Sequence, residues 1–242
     1  MIIANESRVG NFSSSEIYNL TKKDKSGKGF GVPALTYIAE KNMARRLGRS
    51  LTSETNARPT TWGKLLEPFA FSKLGFDYDL VSTETLTHPH YPFWVGSPDV
   101  VGDATAAGGG KIVGDIKCPM TLKSFCQFVD CMDEPDPIQA IRSEHTDGEK
   151  YYWQLVSNAI LTNSTYAELI VFVPFRSDLP EIRLTAMDDP KYKWVEYADD
   201  WELPFLIEGN HYSDLNIIHF EVPQSDKDLL TDCVERAGKL LI

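Results

Sequence analysis

The chain has 242 residues, 42% of them hydrophobic and 24% charged, an ordinary globular make-up long enough to bury a core without staples. It contains no apolar run of about 18 residues, which excludes a membrane-spanning helix, and Met1–Glu6 lacks the basic-then-apolar pattern of a secretory leader. Cys118, Cys126, Cys131 and Cys233 form no Cys-x-x-Cys pair, as expected of an intracellular protein with reduced thiols. The net charge of −11 is unevenly spread: residues 1–60 carry ten Lys or Arg against five Asp or Glu, so the remainder carries −16. A chain of this kind can meet phosphate on one basic surface while staying acidic elsewhere.

Taken in order, Arg8-Val9-Gly10-Asn11-Phe12 leads into Ser13-Ser14-Ser15-Glu16, which predicts a serine-capped helix running to about Leu20. Its free amides and dipole suit an anion, with Arg8 close in sequence. Residues 22–31 are a lysine- and glycine-rich loop. Residues 34–47 have helical periodicity, with Leu35, Ile38, Ala39 and Met43 as the expected inner stripe and Arg45, Arg46 and Arg49 at the C-terminal end. A second helix is expected over about 64–74, with Glu67 near its start. Residues 77–84 read as a strand. His88 and His90, flanked by prolines, read as a turn rather than a metal pair.

The next stretch carries the chemistry. Gly96-Ser97-Pro98-Asp99 is followed, sixteen residues after Asp99, by Asp115-Ile116-Lys117-Cys118-Pro119, with Ala107-Gly108-Gly109-Gly110 between. This spacing predicts an antiparallel hairpin that brings Asp99 beside Asp115. Side chains alternate along a strand, so Asp115 and Lys117 share a face and Ile116 points away. Two close carboxylates repel unless a cation lies between them, and oxygen donors in an open site suit Mg²⁺ or Mn²⁺.

Beyond it, residues 121–128 read as a helix start, and the acidic, proline-bearing 130–149 as a loop or lid. A helix over about 149–161 has Tyr151, Gln154 and Asn158 along one face. Residues 168–174 read as a buried strand and 181–186 as another. Residues 188–218 carry no clear pattern, and a last helix is expected from Ser225 to Lys239.

The segment Ser97-Pro98-Asp99 … Asp115-Ile116-Lys117 resembles the PD-(D/E)xK nuclease signature. More narrowly, the chain resembles the lambda exonuclease / YqaJ viral recombinase family over about residues 6–175. The resemblance includes Arg8 through Ser15, Trp62-Gly63-Lys64-Leu65-Leu66-Glu67-Pro68-Phe69-Ala70, and Tyr151-Tyr152-Trp153-Gln154-Leu155. The chain departs from the family in having Asp115 where glutamate is frequent, and three serines where Thr-Ala-Ser is usual.

The resemblance implies an α/β restriction-endonuclease-like fold, a central mixed sheet flanked by helices, in a single nuclease domain over 1–242 with 176–242 as an elaboration. It implies processive digestion of linear duplex DNA from 5′ ends, a ring-shaped homotrimer, a single-strand annealing protein as partner, and a cytoplasmic setting in a phage-infected or prophage-bearing bacterium. It implies Mg²⁺, with Mn²⁺ as an alternative, held by Asp99, Asp115 and the main-chain carbonyl of Ile116. Lys117 would act on the attacking water, Glu67 would reach the metal site, and Gln154 would contact the water or the DNA. Arg8, Ser13, Ser15 and Tyr151 would hold substrate. An endonuclease or repair nuclease of the same fold, and a non-catalytic DNA-binding or assembly protein on that scaffold, are the alternatives.

Overall fold

The computed structural model describes residues 8–51, 56–75, 77–80, 85–103 and 109–242. Five strands form the central sheet in the order β2 (Tyr78–Leu80), β5 (Val100–Asp103), β6 (Lys111–Lys117), β7 (Tyr166–Phe172) and β8 (Leu215–Glu221). The β6–β7 pair is parallel and the other pairs are antiparallel, so the sheet is mixed. A smaller sheet orders β1 (Phe12–Ser13), β4 (Trp94–Gly96) and β3 (Leu86–Thr87). The helices are α1 (Val32–Leu47), α2 (Arg58–Ser72), α3 (Leu122–Val129), α4 (Pro137–Glu144), α5 (Gly148–Thr162), α6 (Leu179–Ala186), α7 (Lys193–Tyr197) and α8 (Gln224–Gly238). Among the described residues no helix is long and apolar enough to cross a membrane.

Strand alternation sorts the sheet's side chains into two cores. Val113, Leu169, Val171 and Ile218 face one way and pack with Leu155 and Val156 of α5 and Leu230 and Val234 of α8. Val100, Ile116, Ile170 and Phe172 face the other way and pack with Trp62 and Leu66 of α2, Ile182 of α6 and Val195 of α7. Each such side chain, fully removed from water, contributes about 1.5–3 kcal/mol. The helices end where local chemistry stops them. Gly48 closes α1 at φ 63° and Asn163 closes α5 at φ 55°, both left-handed caps.

The expected hairpin forms: Val100 pairs with Gly114 and Asp103 with Lys111. Residues 104–108 of its loop, residues 81–84 of the expected strand and the N-terminal residues 1–7 lie outside the described residues.

Several expectations are corrected. The serine segment makes a 3₁₀ helix over Ser14–Thr21, and Ser13 at its start makes no side-chain cap; the Ser14 hydroxyl is instead engaged by Ser157 of α5 at 2.8 Å. The stripe on α1 is displaced: of its expected members Ile38 is buried, together with Ala34, Tyr37 and Ala44, whereas Val32, Leu35, Met43 and Leu47 are 76, 50, 52 and 61% exposed. Residues 130–149 are not a structureless lid. Asp136 accepts the Gln139 N–H and Pro137 opens α4, so the proline starts a helix rather than breaking a strand. Residues 181–186 belong to helix α6, where Leu179, Ile182 and Ala186 fall on one buried side and Arg183 is held by the carbonyls of Val195, Glu196 and Ala198. The patternless stretch ends in β8, which pairs with β7 along seven residues.

Candidate active site

The hairpin places Asp99 and Asp115 at the same end of the sheet. The Asp99 amide donates to Gly114 O at 3.2 Å, and Asp99 Oδ2 accepts the Ile116 N–H at 2.7 Å. The Asp99 side chain thus replaces the backbone partner that β5, which starts at Val100, does not supply. In an extended strand a residue's N–H and C=O leave on the same edge. The Ile116 carbonyl therefore opens toward Asp99 as well, while its side chain is buried on the α2 side.

Asp115 and Lys117 lie on the opposite face of β6 from Ile116, toward α5. Lys117 Nζ is ion-paired with Asp115 Oδ2. Gln154, on the second turn of α5, donates from Nε2 to Asp115 Oδ1 at 2.6 Å, and its Oε1 accepts from Lys117 Nζ at 3.5 Å. Lys117 Nζ also lies 4.9 Å from the centre of the Tyr151 ring, one helical turn before Gln154. Asp115 is 2% exposed, and its Oδ2 receives the ammonium's charge without a well-directed hydrogen bond.

The electrostatics are those of crowded carboxylates. Burial pushes the Asp99 carboxyl well above its usual range; Asp115 and Glu67 add to this, and Lys117 and the Ile116 N–H oppose it. Glu67 comes from α2. Burial and then Asp115 raise its pKa, against Lys117 and Lys64. Burial by itself lowers the Lys117 pKa, but Asp115 and Asp99 outweigh it and the ammonium is held well above its ordinary value. Burial, reinforced by Glu67 and Asp99, likewise raises the thiol of Cys118 next to Lys117.

Arg8 lies at the rim. The residue is exposed, yet its guanidinium is tucked in far enough that burial lowers its pKa, with Asp99 opposing. The serines stand apart from the carboxylates. Ser13 is nearly buried, its N–H donates to the Tyr37 hydroxyl at 3.0 Å, and its Oγ lies 3.3 Å from Ser15 Oγ. The structure thus brings together Asp99, Asp115, Lys117, Glu67, Gln154 and Tyr151, with Arg8 beside Asp99, while Ser13 and Ser15 pair with each other.

Gly96 explains how these segments close up. A Cβ there would collide with Ser14 Oγ, Leu161 Cδ1 and Asn158 Oδ1, so only glycine lets the 3₁₀ segment and α5 meet over the Ser97-Pro98-Asp99 turn. His88 and His90 form the expected turn: His88 Nδ1 accepts the amides of His90 and Tyr91, and its ring stacks on Trp94. Sequence reading passed over His145, which packs behind Tyr151. A histidine beside prolines and acids in a stretch read as a loop gave no signal.

A hard cation fits this donor set in one respect and not in another. Among the described residues no three His, Cys, Asp or Glu side chains close around a common point, so a fully caged ion does not fit. Two carboxylates whose repulsion raises Asp99, an Asp115 oxygen without a directed donor, and a carbonyl on the same edge do fit an ion that keeps part of its water.

A family model described as the YqaJ-like viral recombinase domain matches residues 6–165. No curated protein matches the chain. Among solved structures the chain is similar to an alkaline exonuclease from Laribacter hongkongensis, with 16% identity, a TM-score of 0.58, and 97% of this chain and 89% of that chain covered. The same enzyme in complex with dAMP gives 16% identity, a TM-score of 0.58, and coverages of 97% and 90%. A phage-related exonuclease from Haemophilus somnus 129PT gives 16% identity, a TM-score of 0.60, and coverages of 95% and 92%. At this identity the likeness establishes the fold, a central mixed sheet flanked by helices, as the motifs led one to expect. With the family model matched across most of its length, the chain belongs to the YqaJ-like viral recombinase domain family.

Proposed function

We propose that the chain is a single-domain, metal-dependent exonuclease that hydrolyses phosphodiester bonds of linear duplex DNA from 5′-phosphorylated ends. The observation that carries this reading is the cluster of Asp99, Asp115, Lys117 and Gln154 at one end of the β5–β6 hairpin. Asp99, Asp115 and the Ile116 carbonyl would hold Mg²⁺, with Glu67 reaching it directly or through water. Bound there, the ion supplies a water of lowered pKa and charge to offset that building on phosphate. Asp115 anchors Lys117, and Gln154 fixes the pose of both. Lys117 then orients the attacking water and carries positive charge to the phosphate. Arg8, whose guanidinium feels the Asp99 carboxylate, would take a terminal phosphate, with Ser13 and Ser15 as further contacts. That a neighbour of this fold has been solved with dAMP accords with a nucleotide substrate. The exposed apolar stripe of α1 supports self-association, in keeping with a ring of copies.

The test is degradation of linear and covalently closed circular duplexes by the purified protein, with and without Mg²⁺. Metal-dependent loss of the linear substrate alone, slower on 5′-hydroxyl than on 5′-phosphate ends, is expected. Cleavage of the circle, or full activity of Lys117→Ala, overturns the reading.

A further inference from the structure

Tyr151 also meets a second group of side chains, His145 and Phe128. His145 sits between the C-terminus of α4 and the start of α5 and is buried. Its Nδ1 accepts the Asp147 N–H at 3.1 Å, so the ring proton is on Nε2, which lies 3.1 Å from Ser124 Oγ of α3. The imidazole stacks on Phe128 of α3 at 4.0 Å and 22°, and both rings lie 5.7 Å from Tyr151. Tyr151 in turn carries the Lys117 ammonium 4.9 Å from its ring centre. A chain of ring contacts, the first stacked and those to Tyr151 tilted, therefore links α3 through His145 and Tyr151 to the lysine.

We propose that His145 is a positioning residue: it fixes the pose of Tyr151, and through Tyr151 that of Lys117, so that protonating it weakens catalysis from outside the site. This rests on the nuclease reading given above. The bonding pattern accepts only the neutral ring. A proton on Nδ1 removes the acceptor for the Asp147 amide and sets two N–H groups against each other at the entrance of α5. The groups facing the ring are Ser124 and Phe128 from α3, Tyr151 from α5, and Asp147 from the turn; Asp147 is the one acid among them. Burial lowers the pKa of the ring and Asp147 opposes this, in line with a group kept neutral. The turn has little slack, because a Cβ on Gly148 would collide with the Ile141 carbonyl of α4. Displacement of the His145 ring is therefore passed on to α5 rather than absorbed. Misplacing a reacting group by about 1 Å costs up to about a hundredfold in rate.

The experiment has two arms. In the first, kcat and KM on a linear duplex with Mg²⁺ are followed across the histidine range for wild type, His145→Ala and His145→Phe, with melting temperature as the check on folding. His145→Ala is expected to lose between about tenfold and a hundredfold in kcat near neutral pH with little change in KM. His145→Phe, which keeps a ring but neither accepts the Asp147 N–H nor titrates, is expected to hold a lowered kcat that no longer falls through the histidine range. A His145→Ala enzyme with wild-type kcat, or a His145→Phe profile superimposed on that of the wild type, overturns the proposal. The second arm needs no activity. The Tyr151 ring resonances of isotopically labelled full-length protein, assigned by their loss in Tyr151→Phe, should move together with the His145 imidazole on titration, and a Tyr151 signal that ignores His145 overturns the proposal. If the wild type degrades no DNA, the nuclease reading fails and this arm still decides whether the stack is coupled.

Discussion

Gln154 Nε2 donates to Asp115 Oδ1 across 2.6 Å, linking the second turn of α5 to the C-terminal half of β6. Asp115 is almost wholly buried, so this bond is one of the few that its carboxylate has. It also orients Oδ2 toward Lys117. Removing the amide leaves a buried acceptor short of a donor, at about 1–3 kcal/mol. Gln154→Ala should lower the urea midpoint accordingly and reduce nuclease kcat by about tenfold to a hundredfold, the usual effect of losing a group that orients a metal ligand, the role proposed for Asp115. Gln154→Glu, which sets a third carboxylate against Asp115, should be worse in both measurements.

Crowding among Asp99, Asp115 and Glu67 predicts a conflict between stability and activity. Burial and like charge raise the Asp99 and Glu67 carboxyls, so over the interval above the ordinary carboxylate pKa the folded protein binds more protons than the unfolded one. Stability from these groups is therefore fullest in acid and is lost as pH rises through their folded pKa values. Asp99→Asn, which can still accept the Ile116 N–H, should melt higher than wild type at pH 8 in EDTA, by about 2–4 °C per kcal/mol regained, and be inactive. Added Mn²⁺ should raise the wild-type melting temperature and leave that of Asp99→Asn nearly unchanged. A variant that melts no higher than wild type would show that the carboxylates are not in conflict.

Lys117 titrates in the same sense but in a higher pH range. Its folded pKa is raised by Asp115 and Asp99 despite burial, so its contribution to stability is complete below the ordinary lysine value and is lost as pH climbs through the folded one. The stability of wild type relative to Lys117→Met should therefore be flat through neutrality and fall only above about pH 10. Denaturant melts of the two proteins across that range would test it.

Gly96→Ala tests the close approach over the Ser97-Pro98-Asp99 turn. The added methyl meets Ser14, Asn158 and Leu161 together, and two of these are fully buried polar residues with no room to retreat. A cost of about 1–3 kcal/mol is expected from overpacking, together with a loss of activity larger than the stability change explains, measured on protein verified as folded by circular dichroism.

The displaced apolar face of α1 gives a contrast between neighbouring positions. Met43→Glu on the exposed side should change stability by less than about 0.5 kcal/mol, whereas Ile38→Glu on the buried side should prevent folding. If copies associate through the stripe, Met43→Glu should also reduce the mass measured by light scattering.

The hairpin and its acids were legible because two independent patterns coincide there, alternation along β6 and a glycine-rich loop of the right length. The orientation of α1 was not. The stripe read as inner joined Ile38 to Leu35, Ala39 and Met43, but Ile38 also borders the face of Ala34 and Tyr37, and a helical period cannot say which of two such adjoining faces is the inner one. α6 was missed because residues 181–186 are too short a run to separate the two periods, and the telling residue is Pro180 just before them, in the first turn. β8 was missed because Asn216 and His219 interrupt its apolar run; Asn216 is satisfied by Ser213 O nearby in the chain, and His219 by Glu168 on β7, a partner that only the fold supplies. The Gln154 bond to Asp115 is likewise a fact of packing, since 39 residues separate the two in the chain.

Asp99 occupies a position with two duties. Its carboxylate accepts the Ile116 amide, acting as the last rung of the ladder between β5 and β6, and the same group is the candidate metal ligand. Chemistry and sheet architecture are therefore written into one side chain. Any replacement that cannot accept that amide, alanine or leucine for example, frays the sheet at the point where the reaction would occur. The only neutral exchange that spares the architecture is the one that silences the chemistry. Redesign of this site for another metal or substrate would have to begin at Glu67 or Gln154, which carry no rung, and leave Asp99 in place.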